Sequence, residues 1–101
     1  MKVFLSELAE LKLLKLNKHL LENWSKKVRD NFIDKLSDRI KQISKQPKSC
    51  PESSEFIGLY KCVVTKQSTF YYRILETKNE IEIITLFDTR QNPKKLKKDL
   101  R

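Results

Sequence analysis

The chain has 101 residues, with 22 Lys or Arg against 13 Asp or Glu and a formal net charge of +9. This length fits one domain, 1–101, and a 39% apolar fraction supports a packed core, which excludes a disordered basic tail. One Gly and three Pro exclude collagen-like and low-complexity chains. No apolar run approaches the roughly 20 residues needed to cross a bilayer.

Met1 to Leu5 is short and apolar and reads as a first strand. Glu7, Glu10 and Lys12 interrupt any apolar signal region, so the chain reads as cytoplasmic. Ser6 offers an N-cap, and Glu7 and Glu10 suit the positive end of a helix running to about Asn23. Leu8, Leu11, Leu14 or Lys15, and Leu21 recur at helical spacing, with Leu13, Leu16 and Leu20 widening the apolar face. Asn23-Trp24-Ser25 breaks the pattern and supplies a second N-cap.

A second helix is predicted to about Gln46. Val28, Phe32, Leu36, Ile40 and Ile43 form its stripe, extended by Ile33. Asp30, Asp34 and Asp38 interleave with Lys27, Lys35, Arg39 and Lys41 as a solvated, salt-bridged surface. Pro47 stops the helix, and the short link makes the two helices an antiparallel hairpin. Residues 47–55 are a loop by composition.

The period then changes to that of strands: Phe56 to Val64, Thr69 to Glu76, and Ile81 to Phe87. Short polar turns at Lys66-Gln67-Ser68 and Thr77-Lys78-Asn79-Glu80 make these an antiparallel meander. The order β-α-α-β-β-β predicts a two-layer α+β domain, the hairpin packed on a mainly antiparallel sheet. Residues 89–101 form a basic tail: Arg90, Lys94, Lys95, Lys97, Lys98 and Arg101 against Asp99 hold +5 of the +9. Leu96 and Leu100 within it are spaced for a short helix.

Catalytic signatures are sparse. There is no Gly-rich phosphate loop and no nucleophile paired with a His. Two separated cysteines, Cys50 and Cys62, and one His, His19, fall short of the four ligands a metal site usually needs, so neither metal nor cofactor is expected. What remains is positive charge on or beside the strands, at Lys61, Lys66, Arg73 and Arg90. Such residues can hold a nucleic-acid backbone or stabilise a phosphorane-like state, or lie solvated on the outer face. Tyr60, Tyr71 and Tyr72 read as packing residues or base-stacking surfaces.

Several residues together resemble a known family. They are Trp24 at the hairpin turn, Pro47 closing the second helix, Leu59-Tyr60-Lys61, Phe70-Tyr71-Tyr72-Arg73-Ile74, and above all Asp88-Thr89-Arg90-Gln91-Asn92-Pro93 before the basic tail. In this order and spacing the chain resembles the RelE/ParE superfamily of type II toxin–antitoxin systems, nearest the ParE-like, plasmid-stabilisation branch. The resemblance implies a toxin held in a hetero-oligomer by a cognate acidic antitoxin that folds on binding.

It also implies one of two targets. RelE-like members cut mRNA on the ribosome with basic sheet residues and a C-terminal tyrosine, and ParE-like members inhibit DNA gyrase without that set. Lys61 matches a RelE-type lysine and Arg90 a later arginine. Val63 and Thr69 stand where further cations would be, and no tyrosine follows Tyr72. The incomplete set favours the non-enzymatic gyrase reading, with Arg90, Lys94, Lys95, Lys97, Lys98 and Arg101 as target contacts. An endoribonuclease, an inactive toxin-fold binding protein and an unrelated nucleic-acid binder are the alternatives.

Overall fold

Two serines start the two helices. In the computed structural model, which describes residues 1–88, the Ser6 hydroxyl accepts the Ala9 N–H at 3.0 Å and starts α1 (Glu7–Asn23). The Ser25 hydroxyl accepts the Val28 N–H at 3.1 Å and starts α2 (Lys26–Lys45). Each hydroxyl satisfies an N–H that the first helical turn leaves without a partner. The strands are β1 (Lys2–Leu5), β2 (Tyr60–Thr65), β3 (Ser68–Leu75) and β4 (Glu80–Asp88).

Among the described residues the sheet order is β1-β4-β3-β2. β2, β3 and β4 form the expected antiparallel meander, and β1 joins parallel to β4 with Val3 opposite Ile81 and Leu5 opposite Ile83. Asn79 takes the left-handed conformation between the 3-10 turn Glu76–Lys78 and β4, a position its short polar side chain tolerates. Ser6 ties the halves of the chain together. Its N–H donates to the Ile83 carbonyl at 2.9 Å and its hydroxyl to the Ile84 carbonyl at 2.6 Å.

The helical hairpin covers one face of the sheet. Ala9, Phe32, Leu36 and Ile43 from the helices meet Cys62, Val64, Phe70, Tyr72, Ile81, Ile83 and Leu86 from the strands in one core. Tyr72 is fully buried, stacks on Tyr60 with centroids 5.2 Å apart, and donates its hydroxyl to the Pro47 carbonyl at 2.6 Å. A phenol can be buried there because its polar end is satisfied.

Three sequence expectations need correcting. On α1 the core takes Ala9 and the half-buried Leu13, Leu16 and Leu20, whereas Leu11, Leu14 and Leu21 face solvent. Both stripes have helical spacing, and only the position of the sheet selects between them. On α2, Val28 is exposed because it lies beyond the sheet, one turn from the hairpin tip. The strand predicted from Phe56 begins at Tyr60 instead. Gly58 has φ +83 and turns the chain, and Ile57 is fully exposed.

Candidate functional site

The site lies where β2, the edge strand, meets α2 and the connector before it. Cys62 and Val64 point into the core, so the alternation of the strand leaves Lys61 and Val63 on the opposite, open face. Lys61 lies opposite Tyr71 on β3, and Val63 opposite Thr69. Tyr71 and Thr69 are buried although they belong to the face away from the hairpin. Phe56, from the connector, sets its ring edge-on against Tyr71 with centroids 6.0 Å apart at 89°. Burial, and then the Glu55 carboxylate, raise the Tyr71 phenol above its ordinary range, so it stays protonated.

The candidate cations behave differently from one another. Arg73 donates from Nε to Glu82 Oε1 at 2.6 Å, directly across β3 and β4, so its charge is largely compensated. Lys61 is exposed and makes no ion pair among the described residues. Lys66 sits in the β2–β3 turn, away from Arg73 at the far end of β3. The sheet therefore brings Lys61 and Tyr71 together and leaves Lys66 and Arg73 apart. Arg90, Lys94, Lys95, Lys97, Lys98 and Arg101 lie outside the described residues, as does the helix suggested by Leu96 and Leu100.

One cation of the groove was not singled out from the sequence. Arg39, expected on the solvated face of α2, donates from Nε to the Val63 carbonyl at 3.1 Å. Its Nη1 donates to Gln42 Oε1 at 3.2 Å, and Gln42 Nε2 donates to Ser49 Oγ at 3.0 Å. The signal was its spacing: three residues after Leu36 and four before Ile43, Arg39 borders the buried stripe. These groups and Lys61 line a groove of about 520 Å³ whose floor is Cys50 and Cys62. The connector borders the groove because the Lys61 N–H donates to the Pro51 carbonyl at 2.9 Å. That bond also covers part of an otherwise open strand edge.

Both cysteines are buried and reduced, and their thiols touch beneath the groove. Burial pushes the Cys62 thiol far up, and Cys50 pushes it further. Cys62 is therefore a core thiol and a poor nucleophile at neutral pH. The groove offers two cations, Lys61 and Arg39, above the Cys62 thiol whose ionisation is pushed up. Its chemistry is that of holding an anion.

The sequence matches the model of the ParE toxin of the type II toxin–antitoxin system parDE over residues 3–93. The chain belongs to this ParE toxin family. It is a type II toxin, and the family implies an antitoxin partner. No curated protein sequence matches it significantly.

The ParE fold recurs in solved structures at low identity. A chain of the chromosomal ParDE TA system from P. aeruginosa is 13% identical with a TM-score of 0.73, over 89% of this chain and 97% of that one. A YoeB/ParE toxin from Agrobacterium tumefaciens is 15% identical with a TM-score of 0.62, over 87% and 98%. A mutant of the E. coli toxin RelE in the free state is 12% identical with a TM-score of 0.67, over 98% and 92%. These likenesses establish the fold, a hairpin on a four-stranded mixed sheet. No helix among the described residues is long and apolar enough to cross a membrane.

Proposed function

We propose that this ParE-family toxin arrests growth by binding and inhibiting DNA gyrase in the cytoplasm, without cleaving RNA, until an acidic cognate antitoxin covers it. The observation that carries the reading is the cross-strand pair Val63–Thr69. The resemblance to RelE-type ribonucleases calls for cations at these two positions. Here the pair is a valine facing a buried threonine. A neutral gap thus lies where positive charge would have to converge on a scissile phosphate. The pairing of Arg73 with Glu82 and the protonated state of Tyr71 point the same way.

Contact with the target then falls to Arg90 and the basic residues Lys94, Lys95, Lys97, Lys98 and Arg101. Together with Asp99 they give the last 13 residues a net charge of +5, suited to an acidic protein surface. The test is induction of the chain without an antitoxin. The purified protein is then added to a gyrase supercoiling assay and, separately, to a translating extract. Growth arrest with loss of supercoiling and intact mRNA is expected. Cleaved mRNA with normal supercoiling would replace this reading with the ribonuclease one, and Lys61→Ala would then abolish cleavage.

A further inference from the structure

The chain has two cysteines, and the fold sets them side by side. The backbone does this. Glu52, in the connector, bridges Tyr60 in an antiparallel step at the edge of β2. The Ser53 N–H donates to the Leu59 carbonyl at 2.7 Å, and the Lys61 N–H to the Pro51 carbonyl at 2.9 Å. Bonds on either side of Glu52 and Tyr60 make them a non-hydrogen-bonded pair. Two residues further along each segment the same kind of pair recurs, and this register sets Cys50 opposite Cys62. Pro51 has no N–H, so it gives the ladder no second bond at that step. Cα atoms of such pairs lie about 4.5 Å apart, at the near end of the roughly 4.4–6.8 Å that a disulfide spans. The side chains agree with the register: the Cys62 thiol is hydrogen-bonded with Cys50, and the Tyr72 hydroxyl also stands against Cys50.

The pair is reachable from one side. Cys62 is 1% exposed and Cys50 7%, and both line the groove of about 520 Å³ that also holds Lys61 and Arg39. A small oxidant entering that groove meets Cys50 first. No group of three or more His, Cys, Asp or Glu that could hold a metal ion occurs among the described residues, so the chemistry left to two touching thiols is redox chemistry. The connector is already fixed where the bond would form, by Pro51 on Lys61 and by the Tyr72 hydroxyl on the Pro47 carbonyl at 2.6 Å.

We propose that Cys50 and Cys62 are an oxidative modification site, at which a hydroperoxide entering the Lys61 groove makes a reversible disulfide that staples the connector to the edge strand β2. Hydrogen peroxide supplies the oxidising equivalents. The Cys50 sulfur attacks one peroxide oxygen, the O–O bond breaks, and the thiol proton leaves with the other oxygen as water, which gives a sulfenic acid. The Cys62 sulfur then attacks the Cys50 sulfur and the S–O bond breaks. The departing hydroxide takes the Cys62 proton as a second water. Two thiols and one peroxide thus give one disulfide and two waters, with the sulfurs oxidised and the peroxide oxygens reduced. A protonated Cys62 is a slow nucleophile in free solution, and its standing contact with Cys50 offsets this by proximity. The site involves only the connector and β2, so it holds whichever target the toxin has.

The test treats the full, folded chain with hydrogen peroxide, digests it without reductant, and reads the cysteine peptides by mass spectrometry. The expected product is one cross-linked pair, lighter by two hydrogens than the separate peptides and closed to iodoacetamide. Its formation should raise the thermal unfolding midpoint of the protein by about 5–15 °C, since the bond closes a short loop in the unfolded chain. Dithiothreitol should reverse both changes. Cys50→Ser should show neither the cross-link nor the rise. In Cys62→Ala, dimedone should trap the sulfenic acid on Cys50; if that variant does not fold, Cys50→Ser alone carries the comparison. Cysteine peptides left unchanged by peroxide overturn the proposal, as do peptides that gain oxygen without cross-linking. A bond between two chains in place of one within a chain also overturns it. A cross-link that leaves the midpoint unchanged or lowers it defeats the staple. None of these results bears on the gyrase reading, which the supercoiling assay tests separately.

Discussion

Tyr72 shows how one residue joins the layers of this protein. Its ring belongs to the sheet core, while its hydroxyl reaches the Pro47 carbonyl just past the end of α2. Tyr72→Phe keeps the ring and orphans that carbonyl, so a loss of about 0.5–1.5 kcal/mol is expected, read as a lower urea midpoint at unchanged slope. Cys62, Tyr71 and Tyr72 all have their ionisation pushed up, in each case first by burial. A raised value favours the protonated form in the folded state. The stability this supplies is whole below the unfolded values and drains away as pH rises. Urea midpoints should hold to about pH 8.5, fall beyond it as the unfolded thiol ionises, and fall faster above about pH 10 with the phenols. In Cys62→Ala the decline should begin only near the second limit. A flat profile to about pH 11 would contradict these burial effects.

Leucines of the two stripes on α1 and α2 predict opposite responses. Leu36→Ala removes a fully packed side chain and should cost about 2–5 kcal/mol. Leu14→Ala removes one that touches mostly water and should change stability by less than about 0.5 kcal/mol. Ser25→Ala should cost about 0.5–2 kcal/mol through the lost N-cap. Thermal or urea unfolding of the three variants checks all of these.

The same elements show what was readable from sequence. The α2 stripe held at Phe32, Leu36 and Ile43 because an isolated amphipathic pattern has one solution. On α1 two apolar stripes satisfied the same spacing, and the choice belonged to the sheet. Cys50 looked like part of a polar connector, yet it is buried because the Pro51 carbonyl bonds to β2 and draws the chain inward. Lys61 was singled out as a basic residue on a predicted strand and by the family resemblance. Arg39 was missed because its partner, a β2 carbonyl, is 24 residues away.

For the whole molecule, charge is divided by region. The hairpin tip and the Lys61 groove are basic regions of the described residues, and the sequence 89–101 holds a further +5. Deleting Lys94 to Arg101 should abolish growth arrest while antitoxin binding persists, measured by plating and by titration of the truncated chain. Toxicity unchanged in a folded, truncated protein would remove the tail from the target interface.

The parallel pairing of β1 with β4 also has a consequence in time. Ser6 is bonded to a carbonyl 78 residues later in the chain. During synthesis the first strand leaves the ribosome with no partner and waits, at ~5–20 residues per second, for about 4–16 s until β4 follows. For the first part of that interval the hairpin has only β1 beside it, and β2 and β3 are added before β4. The core, to which β4 contributes Ile81, Ile83 and Leu86, therefore closes only after this last strand has been made.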